Sequence, residues 1–351
     1  MKKLLILVLV LIPWRVYAIG ASSYIVMDAS SNRVLEGSNI GEERLIASTT
    51  KIMTAIVTIE NKNLDEKVVV SKDVLKAYGS NIYIEVGEEL TLKDLLYGLM
   101  LRSGNDAAIE IARVVAGDMD NMAKLMNEKA KALNMTNTLF INASGLENED
   151  GLGNKSTAYD MALLMSYALK NKVFTQIIGT KNYKTQSSYK SYVWHNKNKL
   201  LDSYEYCIGG KTGFTKKARR TLVTAAKKED KTLVVVTLND PDDFADHKAL
   251  YEKNFKKYNL VKVLDKNSFK IDTQGTYDQV YLKNDLKVLL TSDEEKNIKI
   301  NYDLVKKDSY EDNEAVGSVV VKLKGKVIAK EDILARKNEK IQKNFWHKVL
   351  D

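Results

Sequence analysis

The sequence predicts a chain of mixed class, α/β in content and α+β in arrangement: an antiparallel sheet with helices packed on it, then a small all-β domain. Three observations lead there. Short apolar stretches separated by turn-forming residues stand at residues 22–39 and return from about residue 205, so one sheet is assembled from both ends of a unit. Between those stretches, apolar residues recur at helical spacing. Beyond about residue 260 the runs are short and alternate with period two. With 351 residues, two folded units are the natural expectation.

The elements follow in order. "SSYIVMDASSNRVLEGSN" places turn-formers Ala29 to Asn32 between two apolar stretches and predicts an opening β-hairpin. "STTKIMTAIVTIENKN" carries Ile52, Met53, Ala55, Ile56 and Ile59, and is apolar nearly all round, which predicts a central buried helix. "LTLKDLLYGLMLRSGNDAAIEIARVVAG" predicts helix, break and helix, with the break at Ser103-Gly104-Asn105. Further helices are expected over 118–133 and 157–171, the second with Thr157 and Asp160 in a capping-box arrangement. "CIGGKTGFT", "RRTLVTAAK" and "KTLVVVTLND" predict three strands, the last two joined by a tight turn in "KKEDK", and a helix over 243–257 closes the unit. In the β region, Lys324-Gly325 is expected to turn a hairpin. The expected boundaries are therefore 19–258 for the larger domain and 259–335 for the small one.

The two ends carry other signals. Residues 1–18, "MKKLLILVLVLIPWRVYA", have a basic start, a short apolar run from Leu4 to Ile12, and small or short residues at Val16 and Ala18. That is the layout of a secretory signal peptide cleaved after Ala18, with an uncleaved anchor as the alternative. Its loss removes three cations and no acid, lowering the formal charge from +8 to +5. Such a surface suits anionic wall polymers or lipid. Residues 336–351 place Ile341, Phe345, Trp346, Val349 and Leu350 on one helical face with lysines elsewhere. This is a basic amphipathic helix suited to an anionic membrane, or to packing on the chain's own β domain.

Several functions are excluded. Cys207 is the only cysteine, so no internal disulfide forms, and it reads as a small buried hydrophobe. His195, His247 and His347 have no spacing that makes a zinc site, and no metal or cofactor is expected. "GGKT" suggests a phosphate loop, but that pattern needs glycine at 205 and finds Glu205. Nothing points to nucleic acid.

Three short motifs stand out: Ser48-x-x-Lys51 at the start of the buried helix, Ser103-Gly104-Asn105 in the break, and Lys211-Thr212-Gly213 on a strand. A serine hydroxyl is a poor nucleophile until a base takes its proton. Lys51, one turn away on the same face, is placed to do so. It acts as a base only when neutral, and burial beside a second cation such as Lys211 favours that form. The ordinary alternatives are Ser48 as an N-cap, Asn105 as a turn residue and Lys211 as a solvated strand lysine.

Together with "NASGL", "STAYDMALLM", "WHNKNKLL" and "GGKTGFTKKARRTLV", these motifs resemble the penicillin-binding-protein-5-like D-alanyl-D-alanine carboxypeptidases, a serine peptidase family related to the serine β-lactamases, over about residues 22–257. The β domain and terminal helix resemble that family's C-terminal arrangement. The resemblance implies that Ser48 forms an acyl-enzyme with Lys51 as base, and that the oxyanion sits between the N–H groups of Ser48 and Phe214. It further implies that Ser103 relays a proton to the leaving amine and that Asn105 holds Lys51 and the substrate amide. Lys211 and Thr212 would bind the terminal carboxylate, while Gly213 would let the substrate lie close to the strand.

Three positions depart from the family pattern: Ile46 for a proline, "GG" before Lys211, and Asp243 where many relatives have an arginine that helps hold the carboxylate. Arg219 and Arg220 are read as strand-end residues rather than carboxylate contacts, and His195 as structural. The implied function is an exported, penicillin-sensitive serine carboxypeptidase. It would act on peptidoglycan stem peptides at the outer face of the cytoplasmic membrane or in the cell wall. A serine β-lactamase and a catalytically idle wall-binding scaffold are the rivals.

Overall fold

A computed structural model describes residues 18–273 and 275–337. The expected signal peptide, except for Ala18, and residues 338–351 of the expected terminal helix lie outside the described residues.

The opening hairpin forms as β1 (Ser23–Asp28) and β2 (Val34–Ser38). Asp28 organises its turn by accepting from Ser30 N at 3.2 Å and Ser31 Oγ at 2.5 Å. The later strands are β3 (Cys207–Thr215), β4 (Arg219–Lys228) and β5 (Lys231–Leu238). All five make one sheet in the order β2-β1-β5-β4-β3, every pair antiparallel. The early hairpin thus docks on the last strand, with Ser23 opposite Leu238 and Asp28 opposite Leu233.

Both faces of the central strands are covered. That is why "IVM" in β1 and "LVVV" in β5 read as unbroken apolar runs rather than alternations. Ile25, Met27, Val223, Val234 and Val236 face one core, and Val26, Leu222 and Val235 face the other. The first core is capped by helices α1 (Lys51–Asn61), α2 (Asn105–Ala116) and α3 (Ala158–Ala168). The second packs on α4 (Asp243–Lys257) through Leu250, Tyr251 and Phe255.

Every residue of α1 from Lys51 to Thr58 is buried. Its threonines tolerate this because their hydroxyls are bonded, Thr54 Oγ1 to Ala143 O at 2.7 Å and Thr58 Oγ1 to Thr54 O at 2.7 Å. The expected capping box at α3 forms only in half. Thr157 accepts from Asp160 N, but the Asp160 carboxylate turns to Asn137 N at 2.9 Å and Thr138 Oγ1 at 2.8 Å, where it anchors a loop. The expected 157–171 helix ends at Ala168, and a second helix, Lys172–Gly179, follows. Beyond it an unexpected hairpin pairs Asn182–Gln186 with Ser191–His195. Cys207 is only partly buried.

The chain leaves α4 directly into the strand Asn259–Leu264, which pairs with Leu286–Leu290. Four further strands form an antiparallel sheet in the order Gln279–Leu282, Lys326–Arg336, Ala315–Leu323, Ile298–Leu304 around a core that includes Val288, Val319, Val321 and Ile333. Arg336 closes a strand rather than opening a helix. Lys324 and Gly325 have φ of 49° and 80°, the two left-handed residues of a type I′ hairpin turn. Arg33 of the first hairpin ties the two parts together, donating to Leu289 O and pairing with Glu294 at 2.6 Å.

Candidate active site

The site lies where the entrance to α1, the break before α2 and the edge strand β3 meet. Residues Ala47–Thr50 form a 3₁₀ turn running into α1. Ala47 is held at φ 46°, a left-handed conformation that costs energy for any residue but glycine. On this turn Ser48 Oγ lies 3.2 Å from Lys51 Nζ. Lys51 is fully buried, and Nζ also contacts Asn105 Oδ1 at 2.7 Å and Ser144 O at 2.5 Å. Two carbonyl acceptors and one hydroxyl match a neutral amine, which has two N–H donors and one lone pair for the Ser48 proton. Burial, first, and the charges of Lys211 and Lys197 push the Lys51 pKa well below the ordinary lysine range.

The break is built for display. A helix over Leu92–Tyr97, started by a Thr91–Asp94 capping box, passes into a π turn over Gly98–Arg102. It ends at Ser103 with φ 65° and ψ 35°. Ser103 Oγ is buried without a hydrogen-bond partner. Two residues on, Asn105 opens α2. Its amide is fixed by donation to Tyr78 O at 2.6 Å, so its oxygen points to Lys51. Asp106 steadies the loop beside them by accepting from Ile82 N at 3.0 Å and Tyr83 N at 2.7 Å, while burial raises its pKa.

β3 lies against the nucleophile turn. A Cβ added to Gly213 would be 3.0 Å from Ser48 N and 3.1 Å from Thr49 N. Thr221 on β4, opposite Gly213, clamps the same turn through Ile46 O at 3.1 Å. Gly213 therefore lies against the Ser48 turn, with Phe214 the next residue along β3. Lys211 is buried, donates to Thr212 O at 2.8 Å, and is lowered to about 7 by burial and by Lys197.

These parts surround a cleft of about 380 Å³, lined by Ser48, Ser103, Thr212, Gly213 and Phe214 together with Lys197, Arg220 and Asp243. Of the residues singled out in the sequence, Lys51, Asn105 and Lys211 lie beneath its wall. His195 is exposed, and its carbonyl accepts from Arg102 at 3.2 Å. Its neighbour Lys197 faces the cleft instead, held by Ser80 Oγ at 3.1 Å. Sequence reasoning missed Lys197 and the carbonyls of Ser144 and Tyr78. Main-chain oxygens carry no residue signature, although "NASGL" and "WHNKNKLL" drew notice as wholes. The arrangement can activate a hydroxyl, bind an oxyanion and hold an extended peptide along β3.

A family model described as D-alanyl-D-alanine carboxypeptidase matches residues 13–242, and one described as the penicillin-binding protein 5 C-terminal domain matches residues 246–340. The D-alanyl-D-alanine carboxypeptidase DacF of Bacillus subtilis is 35% identical over 62% of this chain, a stretch that takes in 56% of the Bacillus protein's own length. DacC of Escherichia coli, which bears the same enzyme name, is 30% identical over 95% of this chain and 88% of its own length. In fold, the chain is similar to penicillin-binding protein 5 from Haemophilus influenzae, with a TM-score of 0.75, 23% identity and coverage of 92% of this chain and 98% of that one.

Proposed function

The chain belongs to the D-alanyl-D-alanine carboxypeptidase family, and on that premise we propose that it removes the terminal D-alanine from peptidoglycan stem peptides through an acyl-enzyme on Ser48. The observation that carries this reading is the Ser48 Oγ to Lys51 Nζ contact of 3.2 Å, with the other Nζ contacts made to Asn105 Oδ1 and Ser144 O. The neutral amine takes the Ser48 proton as Oγ attacks the carbonyl carbon of the penultimate D-alanine. The oxyanion is met by the N–H groups of Ser48 and Phe214. The C–N bond breaks, the departing D-alanine amine receives a proton through Ser103, and water then hydrolyses the ester. Asn105 keeps Lys51 in place. Lys211 lies near Lys51 and discourages its charged form. No cofactor or metal takes part in these steps.

Penicillins acylate the same serine in this account. A β-lactamase would also need fast deacylation, usually from a positioned glutamate. Among the described residues no glutamate lines the cleft, and the one carboxylate that does, Asp243, is paired with Arg220 at 2.5 Å. The whole chain is therefore expected to cleave an N-acyl-D-Ala-D-Ala peptide to free D-alanine, with Ser48→Ala inactive. Many rapid turnovers of nitrocefin, or peptide cleavage surviving in Ser48→Ala, would overturn the reading.

Export and membrane attachment rest on sequence pattern alone, in residues 1–18 and 338–351. The processed protein acts outside the cytoplasm, its tail lying on anionic lipid. Loss of residues 338–351 is expected to abolish sedimentation with anionic liposomes at low salt. Equal sedimentation with and without the tail would remove it from the account.

A further inference from the structure

We propose that Arg220, fixed by Asp243, reads the free terminal carboxylate of the peptide together with Thr212, and that Lys211 is not the cation that does so. This rests on the carboxypeptidase reading above and assigns the specificity of the same site.

The terminal carboxylate lies about one residue, ~3.8 Å, from the carbonyl that Ser48 attacks. Its anchor must therefore stand in the same cleft. The cleft is lined by three cations, Lys197, Lys199 and Arg220, and one carboxylate, Asp243. Lys211 is not among them. It is fully buried, with Nζ turned to the carbonyl of Thr212, and its lowered pKa leaves it only partly charged at neutral pH. A guanidinium keeps its charge throughout this range and presents a fork that matches a carboxylate.

Arg220 is also the cation in the right place. It sits opposite Phe214 in the β3–β4 register, on the strand face shared by Leu222, which lies opposite Thr212. Arg220 and Thr212 are thus diagonal neighbours on one face. Asp243, buried at the first turn of α4, takes Nη2 at 2.5 Å, and the guanidinium lies over the Phe244 ring at 5.6 Å. Nε is buried and unpaired, but the side chain as a whole is 43% exposed and lines the cleft, which leaves the fork open to a ligand there. Lys197 is already bonded to Ser80 Oγ. On sequence alone Asp243 looks like the loss of a cation. In the fold it brings one in from β4, so Asp243 is a positioning residue and Arg220 the contact.

The test is the ratio of kcat/KM on an N-acyl-D-Ala-D-Ala peptide to that on its C-terminal amide, measured on the whole chain. The ratio cancels any difference in folded fraction, because both substrates meet the same preparation. We expect a wild-type preference for the acid of about ten- to a hundredfold. Arg220→Gln should bring it to within about threefold of one, Arg220→Lys should recover part of it, and Asp243→Asn should raise KM for the acid more than it lowers kcat. Lys199→Gln should keep the preference. If Arg220→Gln keeps it, or Lys199→Gln abolishes it, the assignment falls while the Ser48 chemistry stands. Cleavage of neither peptide by the wild type would take down the carboxypeptidase reading, and this assignment with it.

Discussion

A single methyl group at position 213 should disable the enzyme. Gly213 does not have the left-handed φ that excludes alanine, so the cost of Gly213→Ala is steric. The new Cβ would overlap Thr221 Oγ1 and come within 3.0 Å of Ser48 N and 3.1 Å of Thr49 N, where ordinary contact begins at 3.4 Å. The obstructing atoms at the turn are backbone, so turn and strand must part by roughly 0.3–0.4 Å. Thr221 must also release Ile46 O. Overpacking of this kind costs about 1–3 kcal/mol and the lost hydrogen bond about 1 kcal/mol more. The displacement falls on the proposed oxyanion donors, where a misplacement of this order is expected to cost about tenfold or more in rate. The assay is the second-order rate of acylation by a labelled penicillin, read beside the thermal midpoint. Gly41→Ala is the control, because nothing lies within 4 Å of its added Cβ. Acylation of Gly213→Ala within twofold of wild type would refute the placement of β3 against Ser48.

Three further outcomes follow from the buried polar groups. Because Lys51 is held well below the ordinary lysine range, acylation should rise with pH along a limb below ~10.4, and Lys51→Arg should abolish it; a flat profile, or an active arginine variant, contradicts the base. Lys211 titrates at about 7 in the fold against 10.5 when free, so its burial penalises folding below pH 7 and the penalty fades toward pH 10.5. Denaturant melts of Lys211→Met should therefore show a gain over wild type that is largest below pH 7, up to ~5 kcal/mol, and shrinks by pH 10; a gain independent of pH refutes the depressed charge. Ser103 Oγ is buried with no partner, so Ser103→Ala should leave stability unchanged or slightly raised while kcat falls by about 10²–10⁴; a stability loss above ~2 kcal/mol would show that the hydroxyl serves the fold.

Much of this was legible in the sequence because the relevant signals are local. The run from Ile52 to Thr58 could be nothing but a buried helix, and a lysine at its mouth beside a serine demanded a reason. The β1–β2 hairpin, the Lys324-Gly325 turn and the start of α4 at residue 243 all rest on short-range turn and periodicity rules. The unseen features depend on distant partners. The hairpin of Asn182–Gln186 with Ser191–His195 presents alternate residues to solvent and is pinned by Tyr183 stacking on Tyr97 at 3.6 Å between ring centroids, a contact no window around residue 183 contains. Asp160 satisfies a loop 22 and 23 residues upstream instead of its own helix start. Arg220 and Asp243 each looked ordinary or even adverse alone. Only the packing of α4 on β4 brings them together as an ion pair, the one proposed above to read the carboxylate.

The central claim is that Ser48 is the acylated nucleophile of a carboxypeptidase site. It is tested most directly by mass spectrometry of the intact and protease-digested protein after brief penicillin treatment. The account predicts one adduct per chain, of the mass of the intact drug, on the peptide that contains Ser48, and none on Ser48→Ala. An unmodified wild-type chain, or an adduct carried on a peptide containing Ser103 or Ser144 and retained in Ser48→Ala, would contradict it.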